Sequence, residues 1–292
     1  MRTSGSPVLA RSVAPMTGTE PAATGSRVHA RLQHLQQHPV LAVLLFSAGV
    51  IGAVGVVWGA LSWGRDRYED IAHPYAEQYA ELERLDLDMR LEYFEDTFGV
   101  AKAVVDVCAV STCPEPPPES LQLVVHETDE VVVRGLFAGN SMAAYLVTTT
   151  TDGFEPPVTW IDLDLGRLGT VTTAEVLDAV GAPLDGDASV VRGTAWTAYA
   201  DVLPGGAPAS YRGLVLAWSP QGTGTGYGLE ASERLVAAQD ASDEAARVAA
   251  LDDLRATTTP NTYGEFRDDG PLGAWLHDPA VVHDLLFVGS ES

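Results

Sequence analysis

The sequence predicts an α+β protein in which an N-terminal transmembrane helix is followed by a soluble domain of two helix-then-antiparallel-sheet units. Three observations predict it. An uncharged apolar run of 25 residues stands near the N-terminus. Beyond it lie many short segments rich in Val, Thr and aromatic residues, separated by Pro, Gly, Asn or Asp, the composition of strands and turns. A helix pattern ending in glycine occurs twice, each time ahead of such a series.

The apolar run extends from Pro39 to Trp63. At 1.5 Å per residue it reaches roughly 37 Å, more than the ~30 Å hydrocarbon layer of a bilayer. Trp58 and Trp63 sit at one end, where amphipathic rings favour the headgroup level, and Arg65 and Arg67 follow as a hydrophilic stop. A cleaved signal peptide has a short leader and an apolar region of about 7–15 residues. Here the leader is 38 residues long, so the segment reads as a permanent tether. Gly55 and Gly59 form a Gly-x-x-x-Gly spacing through which two such helices can self-associate, although glycine is common in membrane helices for other reasons.

Orientation rests on two competing signals. Arg65, Arg67 and Arg84 after the run slightly outnumber Arg27 and Arg31 before it. Val28, Leu32 and Leu35, however, share a helical face flanked by Arg27, Arg31 and His34, a pattern suited to an anionic cytoplasmic leaflet. The expected layout is a disordered basic cytoplasmic tail over 1–38 with a short amphipathic segment, the membrane helix over 39–63 and a stalk over 64–84. The acidic soluble domain follows over 85–292, with halves 85–168 and 169–292. This places a single-pass protein in the cell membrane, its N-terminus cytoplasmic and its C-terminal domain extracytoplasmic.

The formal charge is -23, and the first 38 residues contribute four arginines against Glu20, leaving -26 for the rest. So acidic a surface repels polyphosphate, which argues against nucleic acid as a partner. Cys108 and Cys113 are the only cysteines. They can close one local disulfide in an oxidising compartment or remain as two buried thiols. Zinc is not indicated, because no second Cys/His pair stands at ligand spacing.

Within the soluble part, a short charged helix is expected over Ala76–Leu85. A second covers 89–98, capped by Asp88, with Leu91, Phe94 and Phe98 on one face and Gly99 at its end. Strands are expected over Ala103–Ala109, Leu121–His126, Glu130–Leu136, Met142–Thr150 and Val158–Leu163. Thr172 and Glu175 form a capping box for a helix ending at Gly181, and Glu92–Gly99 can be laid over Ala174–Gly181 as the trace of a duplication. Further strands follow over Val190–Trp196, Tyr199–Leu203 and Tyr211–Trp218. A helical region over Ala231–Arg255, broken near Asp240–Asp243, precedes a last strand over Asn261–Phe266.

Candidate chemistry is thin. Gly139-Asn-Ser141-Met-Ala lacks the final glycine of a nucleophile elbow. The glycines of 222–228 match neither a dinucleotide fingerprint nor a phosphate loop with lysine. His277-Asp278 and His283-Asp284 pair imidazole with carboxylate, but their six-residue spacing separates them on a helix and a polar surface is the simpler reading. No catalytic, cofactor or metal set is therefore assigned. Trp196, Tyr199, Tyr211, Trp218 and Tyr227 cluster near the glycine-rich segment and can line a ligand groove, or simply build core.

Tyr93-Phe94-Glu95 with Gly99, Tyr145-Leu146-Val147-Thr148 and Asn261-Thr262-Tyr263 together resemble a family of uncharacterised bacterial single-pass, membrane-anchored envelope proteins carrying a domain of unknown function. The likeness spans most of residues 85–288. It implies an envelope domain and supplies no catalytic residues. The expected function is thus a membrane-anchored extracytoplasmic binding or scaffold protein, with the lipid bilayer and an envelope protein as partners. The alternatives are an envelope hydrolase or metal-dependent enzyme whose site converges only in the fold, and a single-pass sensor.

Overall fold

In the computed structural model the described residues are 74–181, 187–192, 197–205, 211–224 and 226–287. The chain divides into units 1–74 and 75–292, and all described elements belong to the second. No described helix is long and apolar enough to cross a membrane. The run over 39–63, with Gly55 and Gly59, lies outside the described residues, as do the tail, residues 64–73 of the stalk and Trp196.

The protein is α+β, with helices packed on a large antiparallel sheet. Its eight strands are β1 (Ala103–Asp106), β2 (Leu121–Glu127), β3 (Val131–Ala138), β4 (Ser141–Thr149), β7 (Asp187–Arg192), β8 (Thr197–Leu203), β9 (Arg212–Trp218) and β10 (Thr262–Arg267). They lie in the order β1-β2-β3-β4-β10-β9-β8-β7. In each half, strands consecutive in the chain pair antiparallel, and the halves meet where Tyr145 of β4 stands opposite Glu265 of β10. The seam is tight: a Cβ on Gly264 would fall 2.0 Å from the Tyr145 carbonyl oxygen, so only glycine allows β10 to approach β4 this closely. A separate hairpin, β5 (Pro157–Trp160) and β6 (Leu163–Arg167), packs through Val158, Trp160 and Leu165 into the core on one face of the sheet.

Both faces are covered, so the central strands are apolar on both sides. On one face lie α1 (Ala76–Leu82), α2 (Leu91–Phe98), the β5–β6 hairpin and α4 (Thr173–Val180), around Phe94, Phe137, Val147, Leu214 and Leu216. The other carries α3 (Val107–Val110), α7 (Gly270–Leu276) and α8 (Pro279–Phe287), with Leu276, Val282, Leu285 and Leu286 against Leu123, Leu146, Val202 and Phe266. A helical pair, α5 (Leu229–Asp240) and α6 (Glu244–Thr257), closes over Tyr199 with Leu235, Leu251 and Leu254. Arg255 pins α6 to β8: its Nε and Nη2 donate to the two oxygens of Asp201 at 2.7 and 2.8 Å. Both residues are fully buried, and Tyr199 Oη donates to the same carboxylate at 2.5 Å. A buried carboxylate is tolerable only when satisfied in this way.

The helix capped by Thr172 forms with both bonds of its capping box, and Gly181 ends it in the left-handed region. Several expected boundaries change, among them the strand expected over Val190–Trp196, which begins at Asp187. Asp88 does not cap α2. Its φ is +75°, and its carboxylate meets Ser141 and Arg267, because the backbone of Asp88 and Met89 is paired with Met142. The strand beginning at Ala103 stops at Asp106, whose side chain accepts from Cys108 N at 3.1 Å and starts α3. Cys108 and Cys113 are joined by a disulfide. The expected strand over Val158–Leu163 is instead a hairpin turning at Ile161-Asp162. Finally, α7 and α8 occupy the stretch after β10, for which no element was expected and in which only His277-Asp278 and His283-Asp284 read as polar surface.

Candidate functional site

Alternation along β10 sends Thr262, Gly264 and Phe266 to one face and Tyr263 and Glu265 to the other. Tyr145 of β4 and Arg212 of β9 stand beside them on that second face, and α1 and the tip of the β5–β6 hairpin stop short of covering all four. The result is a cavity of about 440 Å³. Its walls include Tyr79 and Glu83 from α1 and its end, Tyr145, Thr159 of β5, Ile161 and Asp162 of the turn, Arg212, Tyr263 and Glu265.

Glu265 is the most constrained of these residues. It is 6% exposed, accepts from Tyr145 Oη at 3.0 Å on Oε1 and from Arg212 Nη1 at 3.3 Å on Oε2. Burial raises its pKa above the ordinary carboxylate value, and the bonds from Tyr145 and Arg212 only partly oppose this. Burial also lifts the Tyr145 phenol well above its usual value, with the Glu265 charge adding to the effect. Arg212 is shared. Its Nη2 donates to Asp86 at 2.6 Å, and although burial disfavours its charge, Asp86 and Glu265 together hold its pKa above the ordinary value. The guanidinium is therefore already neutralised by two carboxylates.

Tyr263 is 5% exposed and lies edge-on to Tyr145, with ring centroids 6.3 Å apart. It lines the cavity, yet its hydroxyl makes no hydrogen bond among the described residues. Glu83 and Asp162 at the rim likewise have no ion-pair partner among the described residues. The rim is strained: Ile161 has φ +47° and Asp162 φ +64°. A β-branched residue rarely adopts such a backbone conformation, and strain of this kind clusters at binding sites.

A second cavity of about 300 Å³ lies under the glycine-rich segment, bounded by Thr149, Phe154, Thr223, Thr259 and Asn261. Asn261 is fully engaged. Its Oδ1 accepts from Ser219 N at 2.7 Å, and its Nδ2 donates to the carbonyls of Ser219 and Thr223 at 2.8 and 3.1 Å. Asn261 is thus a clamp on the loop, its amide spent on the protein.

Of the aromatic residues proposed from sequence, Tyr199, Trp218 and Tyr227 meet in one cluster with α5 and α6, and Tyr211 stands apart. Tyr199 is buried under α5 and α6, Trp218 and Tyr227 stack with centroids 4.5 Å apart, and Tyr211 is on the surface. His277 pairs with Asp268, while His283 is buried on α8, where Nε2 meets the Ser189 carbonyl at 3.2 Å. Ser141 opens β4 after a two-residue turn and bonds Asp88. Tyr145 and Tyr263, from two of the short motifs, do converge in the cavity. Glu265 and Arg212 were not singled out from sequence, and the signal was Glu265 alternating with apolar positions in a strand otherwise fit for the core. Comparison with family models, curated proteins and solved structures returns no significant match.

Proposed function

We propose that residues 75–292, α1 included, form a ligand-binding module tethered to a cell membrane by the helix over 39–63, with the basic tail cytoplasmic and the module in the envelope. The observation that carries the binding reading is the cavity over β4, β10 and β9, of a size suited to a small molecule and built around a buried carboxylate. The enzyme alternative has one observation in its favour, the raised pKa of Glu265. Binding is nevertheless favoured, because Glu265 is held in place by Tyr145 and Arg212 and the described lining of the cavity sets no His, Cys or Ser beside it to form a base and nucleophile pair. The symmetric strand order and the recurrence of a helix ahead of each half support two helix-then-sheet units derived by duplication, with α5 and α6 inserted in the second.

Thr159 is exposed on β5 and faces the cavity, so Thr159→Trp fills it without touching the core. Full-length protein in lipid nanodiscs, screened by ligand-observed NMR against small cations, anions and neutral polyols, is expected to yield a saturable binder that Thr159→Trp abolishes. A screen in which every binder survives Thr159→Trp would overturn the reading.

A further inference from the structure

The chemistry of the cavity, taken as the binding site just described, goes further and specifies the charge of its ligand. We propose that the cavity accepts a small organic cation, an aliphatic ammonium group held beside the Tyr145–Tyr263 pair by the carboxylates of Glu265, Glu83 and Asp162. This inference rests on the binding reading but can fail without it.

Four observations carry the assignment. Three carboxylates line the cavity against one guanidinium, and that guanidinium is already paired with Glu265 and with Asp86 beside it. An anion would have to displace one of those pairs to reach Arg212, whereas a cation meets Glu83 and Asp162 with their charge unspent. The Tyr263 hydroxyl, on a side chain 5% exposed, has no protein partner and can accept from an N–H group. Tyr145 and Tyr263 present aromatic surface, whose quadrupole attracts a cation more strongly in a partly desolvated site. The ligand thus replaces a missing positive charge at a place where the protein has gathered negative charge around a buried hydrogen-bonding group. A domain that excludes anions by its overall charge draws cations to the same opening.

The test uses the full chain in nanodiscs of uncharged lipid and three probes of equal length: 1,5-diaminopentane, glutarate and 1,5-pentanediol. Isothermal titration is expected to show saturable binding of the diamine only, weakening as salt is raised. The rim pair is exposed, so the double variant Glu83→Gln/Asp162→Asn keeps its fold and is expected to weaken the diamine about fivefold, the sum of two exposed charge contacts. Tyr263→Phe removes only the hydroxyl and is expected to weaken it about fivefold to tenfold. Retained thermal unfolding midpoints separate these losses from misfolding.

Diamine affinity unchanged in both variants overturns the proposal. Glutarate binding that Thr159→Trp abolishes overturns the cation assignment and leaves the binding module standing. No binding by any of the three probes overturns the cation proposal, and the binding reading then depends on the wider screen.

Discussion

His126 shows at the scale of one side chain what burial does to a titratable group here. Its ring is 3% exposed, packed against Phe94 and Phe98, and neither ring nitrogen has a hydrogen-bond partner among the described residues. Burial lowers its pKa below the ordinary 6.5, against the opposing charge of Glu95 and nearby carbonyls. His283 is lowered for the same first reason, opposed by the Ser189 carbonyl and by Asp284 and Asp278. With the folded pKa depressed, the unfolded chain takes up the proton first as pH falls. The stabilising contribution of each neutral ring is complete above about 6.5 and drains as pH falls through the folded value. Glu265 has the opposite sign: its folded pKa is raised, so its contribution is full below about 4.5 and is lost as pH rises through the folded value. Replacing His126 with Phe extends the aromatic cluster and removes one of the two histidine terms. The urea midpoint of wild type is expected to drop between about pH 7.5 and about pH 5.5, and His126→Phe to drop by distinctly less. Equal drops in both proteins would show that His126 titrates as an ordinary surface group.

Among the elements, the β5–β6 hairpin combines a local fault with a place beside the cavity. Trp160 pairs with Leu163, leaving Ile161 and Asp162 as a two-residue turn with both φ values positive. Such turns favour Asn, Asp and Gly, and isoleucine there costs on the order of 1–3 kcal/mol. Ile161→Asn is expected to stabilise the protein by about 1 kcal/mol, raising the unfolding midpoint by about 2–4 °C. A midpoint that falls would mean that burial of the Ile161 side chain outweighs the strain.

The same turn shows why parts of the fold were illegible in the sequence. With no glycine or asparagine at 161–162, the stretch Val158–Leu163 reads as one uninterrupted strand, and only tertiary packing of Trp160 and Leu165 bends it. Gly270-Pro271 and Pro279 look like breaks, yet Pro271 and Pro279 lie in the first turns of α7 and α8, where a missing N–H costs nothing. The α4 helix was legible to the residue because Thr172, Glu175 and Gly181 carry local signals. The site was half legible. Its tyrosines stood out, but that Glu265 lies on a central strand, covered on both faces, depends on the strand order, which no local pattern encodes.

For the whole molecule, the decisive quantity is the distribution of charge along the chain. A net +3 lies before the apolar run and -26 after its start, so the two sides of the proposed membrane helix differ sharply. Flanking arginines alone barely distinguish its ends, because Arg65, Arg67 and Arg84 oppose Arg27 and Arg31. In the proposed topology, the pattern of Val28, Leu32 and Leu35 sets the orientation. Basic side chains around an apolar stripe gain about 1 kcal/mol each near an anionic leaflet, and the cytoplasmic one carries that charge. Alkaline phosphatase fused after residue 292 is therefore expected to be active and a green fluorescent fusion at the same point dark, since the first folds only outside the cytoplasm and the second only within it. Inactive phosphatase with a bright fluorescent fusion would turn the proposed topology over, placing the cavity in the cytoplasm, while both signals at once would mean that the tail does not set the direction of insertion.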